Sequence, residues 1–167
     1  MSNPTDYGFL GEEFLTWLWF TLETEGGDFD VDGREIAVCM DDYIAFAPSA
    51  EDETEQTLRK GLPSRSSVAR EALRNGRCVR KARLIAADGA REWGFVLDAA
   101  TMNITGIRLP ADSEEAQTPR ERATERIAAF TELQDIIVGL YTKFLSVRLT
   151  PDYRATQGEA QANWMMA

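Results

Sequence analysis

The chain has 167 residues, of which 44% are hydrophobic and 28% are charged. These values are typical of one globular domain with a real core, and they leave too little chain for two full domains. The sequence contains no histidine, which excludes imidazole acid–base catalysis, imidazole metal ligands and serine–histidine or cysteine–histidine nucleophiles. The formal net charge is −10, which by itself opposes a polyanionic partner.

The first predicted element is a helix from Phe9 to Leu22 that is apolar around most of its circumference. A helix of this kind is buried on all sides, either in a core or against another subunit. Because so small a chain has few residues to cover it, we predict a homodimer or a heteromer with this helix at the interface. The predicted interface residues are Phe14, Trp17, Trp19 and Phe20.

Strands and a short helix follow. A turn at Asp32-Gly33 leads into two predicted strands, Glu35–Met40 and Tyr43–Ala47, and residues 54–62 form a weaker polar strand. A serine-capped helix, Val68–Arg74, ends at Asn75-Gly76. The next segments indicate an antiparallel meander of three strands: Cys78–Ala86, Glu92–Leu97 and Asn103–Leu109.

The last predicted helix is long and amphipathic. Thr118, Pro119 and Glu121 form a capping box with proline at the first helical position, and Pro151 stops the helix. We therefore predict an α+β fold for residues 1–150, a single domain whose antiparallel sheet is flanked by the aromatic N-terminal helix and the long C-terminal helix. Residues 151–167 are predicted to be a flexible tail.

The sequence has no signal of secretion or membrane insertion. The longest strongly apolar run, Phe14–Phe20, is too short to span a bilayer, and the N-terminus lacks the basic region of a signal peptide. Cys39 and Cys78 are far apart and predicted to be buried and reduced. We predict a cytoplasmic protein without membrane contact.

Charge is distributed unevenly along the chain. Residues 1–58 sum to −14, residues 59–91, which we call the basic block, to +8 and residues 92–167 to −4. Basic side chains gathered on one face can neutralise phosphates locally, and no asparagine or glutamine cluster indicates base reading. The alternative is that the bases pair with the acidic first third. The candidate DNA-binding residues are Arg59, Lys60, Arg65, Arg70, Arg74, Arg77, Arg80, Lys81 and Arg83.

Two acidic patterns in the sequence are candidate metal sites. Asp28–Gly33 matches the first half of a calcium loop, but Cys39 stands where the bidentate glutamate belongs, which favours an acidic hairpin. Asp41 and Asp42, with Glu35 and Glu92, are a magnesium nuclease alternative, although paired acids between strands are more typical of a solvated turn. We predict no metal, no cofactor and no catalytic residue, hence a protein that is not an enzyme.

Several segments occur in an order that resembles a known family. They are Leu15–Trp19, Asn75-Gly76-Arg77, the strand Cys78–Ala86, the strand pair around Gly94–Leu97 and Gly106–Leu109, and the long terminal helix. This order, over Phe9 to Val147, resembles the C-terminal part of the recombination-associated protein RdgC family.

The resemblance implies a DNA-associated, nucleoid-located role. Members of the family form ring-shaped dimers that encircle duplex DNA without sequence preference and restrain the recombinase RecA. The family's basic positions correspond to Arg77 after Gly76, to Lys81, and to Arg59-Lys60. The family's N-terminal part has no counterpart in this chain, which implies a separately encoded RdgC-like N-terminal subunit as a partner.

The leading functional prediction is therefore a non-enzymatic protein that binds duplex DNA without sequence preference as part of a larger ring or complex. The alternative is an acidic protein-interaction module that binds another protein through its aromatic N-terminal helix and does not contact DNA.

Overall fold

The computed structural model describes residues 8–49 and 53–167, and within them it has an α+β fold. The α-helices are α1 (Gly8–Thr24), α2 (Ser67–Arg74), α3 (Pro119–Arg148) and α4 (Glu159–Met166). The strands are β1 (Asp28–Val31), β2 (Arg34–Phe46), β3 (Gln56–Arg59), β4 (Val79–Ala87), β5 (Glu92–Asp98) and β6 (Asn103–Arg108). A 3₁₀ turn at Pro63–Arg65 precedes α2, and a π-helical turn at Arg154–Gly158 precedes α4.

The strands form one antiparallel sheet in the order β1-β2-β4-β5-β6, and β3 pairs with the C-terminal end of β2. The two strands predicted at 35–40 and 43–47 are a single strand, β2. Its register against β4 shifts between Met40 and Ile44, so that three residues of β2 lie opposite Arg83 alone. This bulge explains why the polar pair Asp41-Asp42 resembled a turn in the sequence.

Alternation along the strands divides the sheet into a covered face and an open face. Every second residue of the central strands is buried, as Leu84 and Phe95 show, and α1 packs against this face over β4. The other face is exposed at Ala37 and Cys39. The prediction that both cysteines are buried is therefore wrong for Cys39, because its position in β2 points away from the helices.

The long helix α3 begins as the sequence predicted. The Thr118 side chain accepts a hydrogen bond from the Glu121 amide, and the Glu121 carboxylate accepts one from the Thr118 amide. These reciprocal bonds satisfy two donors that the first helical turn leaves without partners, so the capping box is confirmed. Within the described part of the chain, no helix has both the length and the apolarity that crossing a membrane requires.

The aromatic side chains of α1 are buried by this chain itself. Phe14 and Trp17 pack against Phe144 of α3, with ring centres 5.7 and 5.5 Å apart. Trp19 packs against Phe46 of β2 at 6.3 Å. The exposed fractions of Phe14, Trp17, Trp19 and Phe20 are only 1, 5, 1 and 6%. The structural reason for predicting an interface at these residues is therefore absent.

Residues predicted to be a flexible tail form the π-helical turn and α4 instead. Trp164 of α4 lies edge-on against Trp19 and Phe20, with ring centres 5.4 and 5.6 Å apart. The segment is ordered against α1 because Trp164 and Met165 are partly buried on the core. The α4 helix therefore helps to bury the aromatic residues of α1, for which the sequence showed no packing partner.

Candidate nucleic-acid interface

The structure separates the nine predicted DNA-binding residues into different environments. Arg77 is a structural residue with an exposed fraction of 7%. Its Nη1 donates to the carbonyl oxygens of Thr54 and Ala47 at 2.8 and 3.4 Å. Because it is buried among main-chain acceptors, Arg77 cannot face a phosphate.

Arg80, a predicted DNA-binding residue, lies on the covered side of β4, opposite to Lys81 and Arg83. Its guanidinium Nε is 3.9 Å from Asp98 Oδ1, and this Nε is buried without a hydrogen-bond partner. It also lies near Glu12 of α1, where burial raises the pKa of the carboxyl and the charge of Arg80 partly offsets that rise. Arg80 is therefore engaged with acidic groups of this chain, although its side chain is 35% exposed.

Arg70 and Arg74 of α2 contact other parts of the chain. Arg70 forms an ion pair with Glu23 of α1 and donates to the Trp164 main-chain oxygen of α4, and Arg74 donates to the main-chain oxygen of Ala167, the residue after α4. The prediction that they present free guanidinium groups to DNA is therefore not met in this conformation. Arg65 is exposed in the 3₁₀ turn that precedes α2.

Four basic residues converge on one groove at the open face of the sheet. Arg59 and Lys60 come from the end of β3, Arg83 from β4 and Arg108 from the end of β6. We call this set the basic groove; its volume is about 640 Å³. Its lining also includes Asp42, Tyr43, Gly106 and Ile107.

The groove arginines are positioned by the bulge of β2. Arg83 Nε lies 3.4 Å from Asp42 Oδ1, and Arg108 Nη2 lies 3.9 Å from Asp41 Oδ2. The guanidinium carbon of Arg59 lies 4.8 Å from the centre of the Tyr43 ring, which is a cation–π geometry. These contacts orient the cations and leave them exposed to different extents, since the Arg108 side chain is 70% exposed and the Arg83 side chain 24%.

Two glycines give the arginines room. Gly106 has φ +57°, and a Cβ there would lie 3.1 Å from Arg83 Nη2. At Gly94 a Cβ would lie 3.3 Å from Arg108 Nε. Glycine at these positions lets the long side chains lie flat across the sheet, where Arg83 also donates to the Gly106 carbonyl at 3.4 Å.

The basic groove carries more positive than negative charge. Asp42 is the one carboxylate in its lining, against four cations. Lys81 lies on the same strand and face as Arg83 and is 3.8 Å from Asp98, so it extends the basic surface along β4. Such an arrangement can bind phosphate oxygens through forked guanidinium donors.

Sequence reasoning found three of the four groove residues and missed Arg108. Arg59, Lys60 and Arg83 belong to the basic block, whereas Arg108 lies outside it at the end of β6. The predicted antiparallel meander could have identified Arg108, because it makes β4, β5 and β6 neighbours in the sheet. Pairing of Gly94 with Arg108 places that side chain on the open face with Arg83.

The acidic patterns form no metal cluster in the structure. Among residues 8–49 and 53–167, no group of three or more histidine, cysteine, aspartate or glutamate side chains is arranged to hold a metal ion. Asp28–Val31 is strand β1, and Asp30 Oδ1 accepts a hydrogen bond from the Gly33 amide at 3.0 Å in the hairpin turn. This is the acidic hairpin that the sequence favoured over a calcium loop.

Comparison with known proteins adds no relative. No protein-family model, no curated protein and no solved structure matches this chain.

Proposed function

We propose that this chain binds the phosphates of duplex DNA, without reading base sequence, through the basic groove. The observation that carries the proposal is the convergence of Arg59, Lys60, Arg83 and Arg108 on one open groove from three parts of the chain. Contacts of arginine and lysine to phosphates fix a protein on a duplex and carry no sequence information.

The chemistry of the groove favours a duplex over a single strand. Proteins that hold single strands stack the bases on open aromatic faces. Tyr43 is the one aromatic residue in the groove lining, and the guanidinium group of Arg59 lies over its ring. The groove therefore presents cations and no aromatic platform.

The acidic remainder of the chain limits the affinity. A net charge of −10 repels a polyanion at long range, and attraction dominates only where the groove cations approach the phosphates. We expect binding that is weak at physiological salt and that strengthens steeply as salt is lowered.

The test compares two double variants that remove equal charge. Arg83→Gln with Arg108→Gln acts in the groove, whereas Arg120→Gln with Arg154→Gln acts at exposed positions outside it. The groove variant should bind all duplexes more weakly. The negative slope of log K against log salt should become shallower by about 2, because two phosphate contacts are lost. The control should stay near wild type.

Fluorescence anisotropy with duplexes of different sequence gives the affinities, and circular dichroism checks the fold. Equal losses in the two double variants would contradict the proposal, because they would reduce it to a net-charge effect. A strong preference for one duplex sequence would also contradict it.

The wider role in recombination, and a separately encoded RdgC-like N-terminal partner, stay predictions based on the resemblance. The alternative function, a protein-interaction module that uses the aromatic face of α1, gains no structural support. Its docking residues are buried under α3, the sheet and α4.

A further inference from the structure

Two of the predicted DNA-binding arginines contact α4 and the residue that follows it. Arg70 and Arg74 are four residues apart and share one face of α2. Arg70 Nη1 donates to the Trp164 carbonyl oxygen at 3.4 Å, and Arg74 Nη2 to the Ala167 carbonyl oxygen at 2.5 Å. Carbonyl oxygens near a helix carboxyl end carry partial negative charge. They thus give both arginines the kind of contact that phosphate oxygens would give.

Trp164 makes most of the contacts that hold α4 in place. Its indole Nε1 donates to Glu23 Oε2 at 2.9 Å, and its ring centre lies 4.9 Å from the guanidinium carbon of Arg70. The same ring lies edge-on against Trp19 and Phe20. Glu23 also accepts from Trp19 Nε1 at 2.8 Å, so one carboxylate joins two indoles and a guanidinium group.

The rest of α4 is attached weakly. No residue of α4 is buried, and Met166 is 66% exposed. The connection to α3 passes through exposed residues at Leu149 and Pro151 and through the π-helical turn. A segment with so few buried contacts belongs to the part of a fold that opens at the lowest free energy.

We propose that α4 is a latch that competes in cis with nucleic-acid phosphates for Arg70 and Arg74. When α4 opens, α2 presents these two arginines beside the exposed Arg65. Glu23 keeps its ion pair with Arg70 in the open state, so Arg74 supplies the larger share of the gain. The inference rests on the proposed DNA binding, but it concerns a set of cations separate from the basic groove.

The first arm of the test compares Trp164→Ala with Met166→Ala in the full chain. Neither substitution changes the net charge, and both shorten an apolar side chain of α4. Trp164→Ala should speed amide exchange in residues 154–166 and leave α3 protected. It should raise duplex affinity about threefold or more and steepen the salt slope by about 1, as expected for one added phosphate contact. Met166→Ala should do neither.

The second arm adds Arg74→Gln. With Trp164 intact this change should alter affinity little, because the exposed Arg74 guanidinium group is already bonded to the Ala167 main-chain oxygen; with Trp164→Ala it should remove the gain. If Trp164→Ala speeds amide exchange in α4 but leaves duplex affinity unchanged, α4 does not compete with phosphates for these arginines. If the amide exchange of α4 is unchanged, Trp164 does not hold a latch. A gain that survives Arg74→Gln would overturn the assignment to α2, and absence of duplex binding in every variant would overturn the inference together with the proposed function.

A groove variant separates the two proposals when binding is seen. If Arg83→Gln with Arg108→Gln binds like wild type while Trp164→Ala still tightens binding, the proposed groove function fails and the latch stands. If the groove variant binds weakly and Trp164→Ala has no effect, the groove function stands and the latch fails.

Discussion

Arginines that are equivalent in the sequence have different environments in the structure. Arg77 and Arg83 both belong to the basic block, yet Arg77 is 7% exposed and bonded to carbonyl oxygens, whereas Arg83 lines the basic groove. Charge counting could not separate them, because their difference depends on residues distant in the chain. We therefore expect replacement of Arg77 to lower stability and replacement of Arg83 to lower duplex affinity.

We predict that Arg77→Gln lowers stability and leaves duplex affinity unchanged. The shorter amide cannot reach the carbonyl oxygens of both Ala47 and Thr54, and a buried acceptor without a donor, as the Ala47 oxygen would become, costs about 1–3 kcal/mol. Chemical denaturation gives the stability, and anisotropy below the unfolding transition gives the affinity. Arg83→Gln should show the reverse pattern, with nearly wild-type stability and weaker binding. If Arg77→Gln is folded and binds duplex DNA more weakly than wild type, Arg77 contacts DNA and this prediction is wrong.

Another arginine of the basic block connects α3 to the turn between β4 and β5. Arg91 donates to both oxygens of Glu132 at 2.9 and 2.8 Å and to Asp88 at 2.6 Å, and Arg34 joins the same carboxylates. The side-chain hydrogen bond from Arg91 lowers the pKa of Glu132 below its ordinary value of 4.5, despite partial burial. The network therefore depends on an ionised Glu132.

This lowered pKa predicts acid sensitivity. A carboxyl whose pKa is lower in the folded state stabilises the fold above its unfolded pKa, and that contribution is lost as pH falls. The free energy of unfolding should decline as pH drops from about 5 through 4.5 toward the lower folded pKa of Glu132. Glu132→Gln should reduce this decline, whereas Glu114→Gln, on an exposed loop, should not. Parallel curves for wild type and Glu132→Gln would contradict the assignment.

At the scale of elements, local sequence signals predicted most of the fold. The capping box at Thr118 and the apolar spacing that follows it identified α3, and alternation identified the strands of the meander. The α+β fold with one antiparallel sheet is confirmed. These features depend on neighbours within a few residues, which a single sequence displays.

The misjudged elements depend on distant contacts. The α4 helix is only eight residues long, and its principal contact, Trp164 with Glu23, joins residues 141 positions apart. Without that cover, α1 is too apolar for a monomer of this size, which is the reasoning behind the predicted interface; the oligomeric state itself stays a prediction. The bulge that brings Asp41 and Asp42 beside the groove arginines could not be predicted for the same reason. It is a shift in the pairing of β2 with β4, and these strands are distant in the sequence.

We predict that Trp19→Asp unfolds the chain instead of dissociating an oligomer. Trp19 is 1% exposed, and replacing a buried tryptophan with a smaller residue already costs about 3–5 kcal/mol before an unpaired charge is added. Circular dichroism should show α3 lost in the same cooperative transition. Val138→Asp, at a 63% exposed position of α3, is the control and should be tolerated. A folded Trp19→Asp of half the wild-type mass would place Trp19 at an interface.

Across the whole molecule, the pairing interpretation of the basic block holds in part, and the DNA-binding interpretation stays a prediction. Bases of residues 59–91 do pair with the acidic first third, as Arg70 does with Glu23 and Arg83 with Asp42. The second pair is solvent-accessible, since the Asp42 side chain is 53% exposed, and such pairs contribute little to stability. A phosphate can therefore compete for Arg83 at modest cost. The internal ion pair of Arg83 is therefore compatible with the proposed phosphate binding.

The absence of histidine gives duplex binding an expected pH profile. Burial raises the pKa of Cys39 and Cys78 above the ordinary 9.0, and carboxyl, lysine and arginine side chains ordinarily titrate outside the range from about pH 6 to 8. At fixed ionic strength we therefore expect duplex affinity to be flat across that range, with one salt slope throughout. Below about pH 5, carboxylates begin to gain protons, and affinity should rise as the molecule becomes less negative. Anisotropy titrations at matched ionic strength measure the profile. A transition centred between about pH 6 and 7 would contradict this account, because no side chain here ordinarily titrates there.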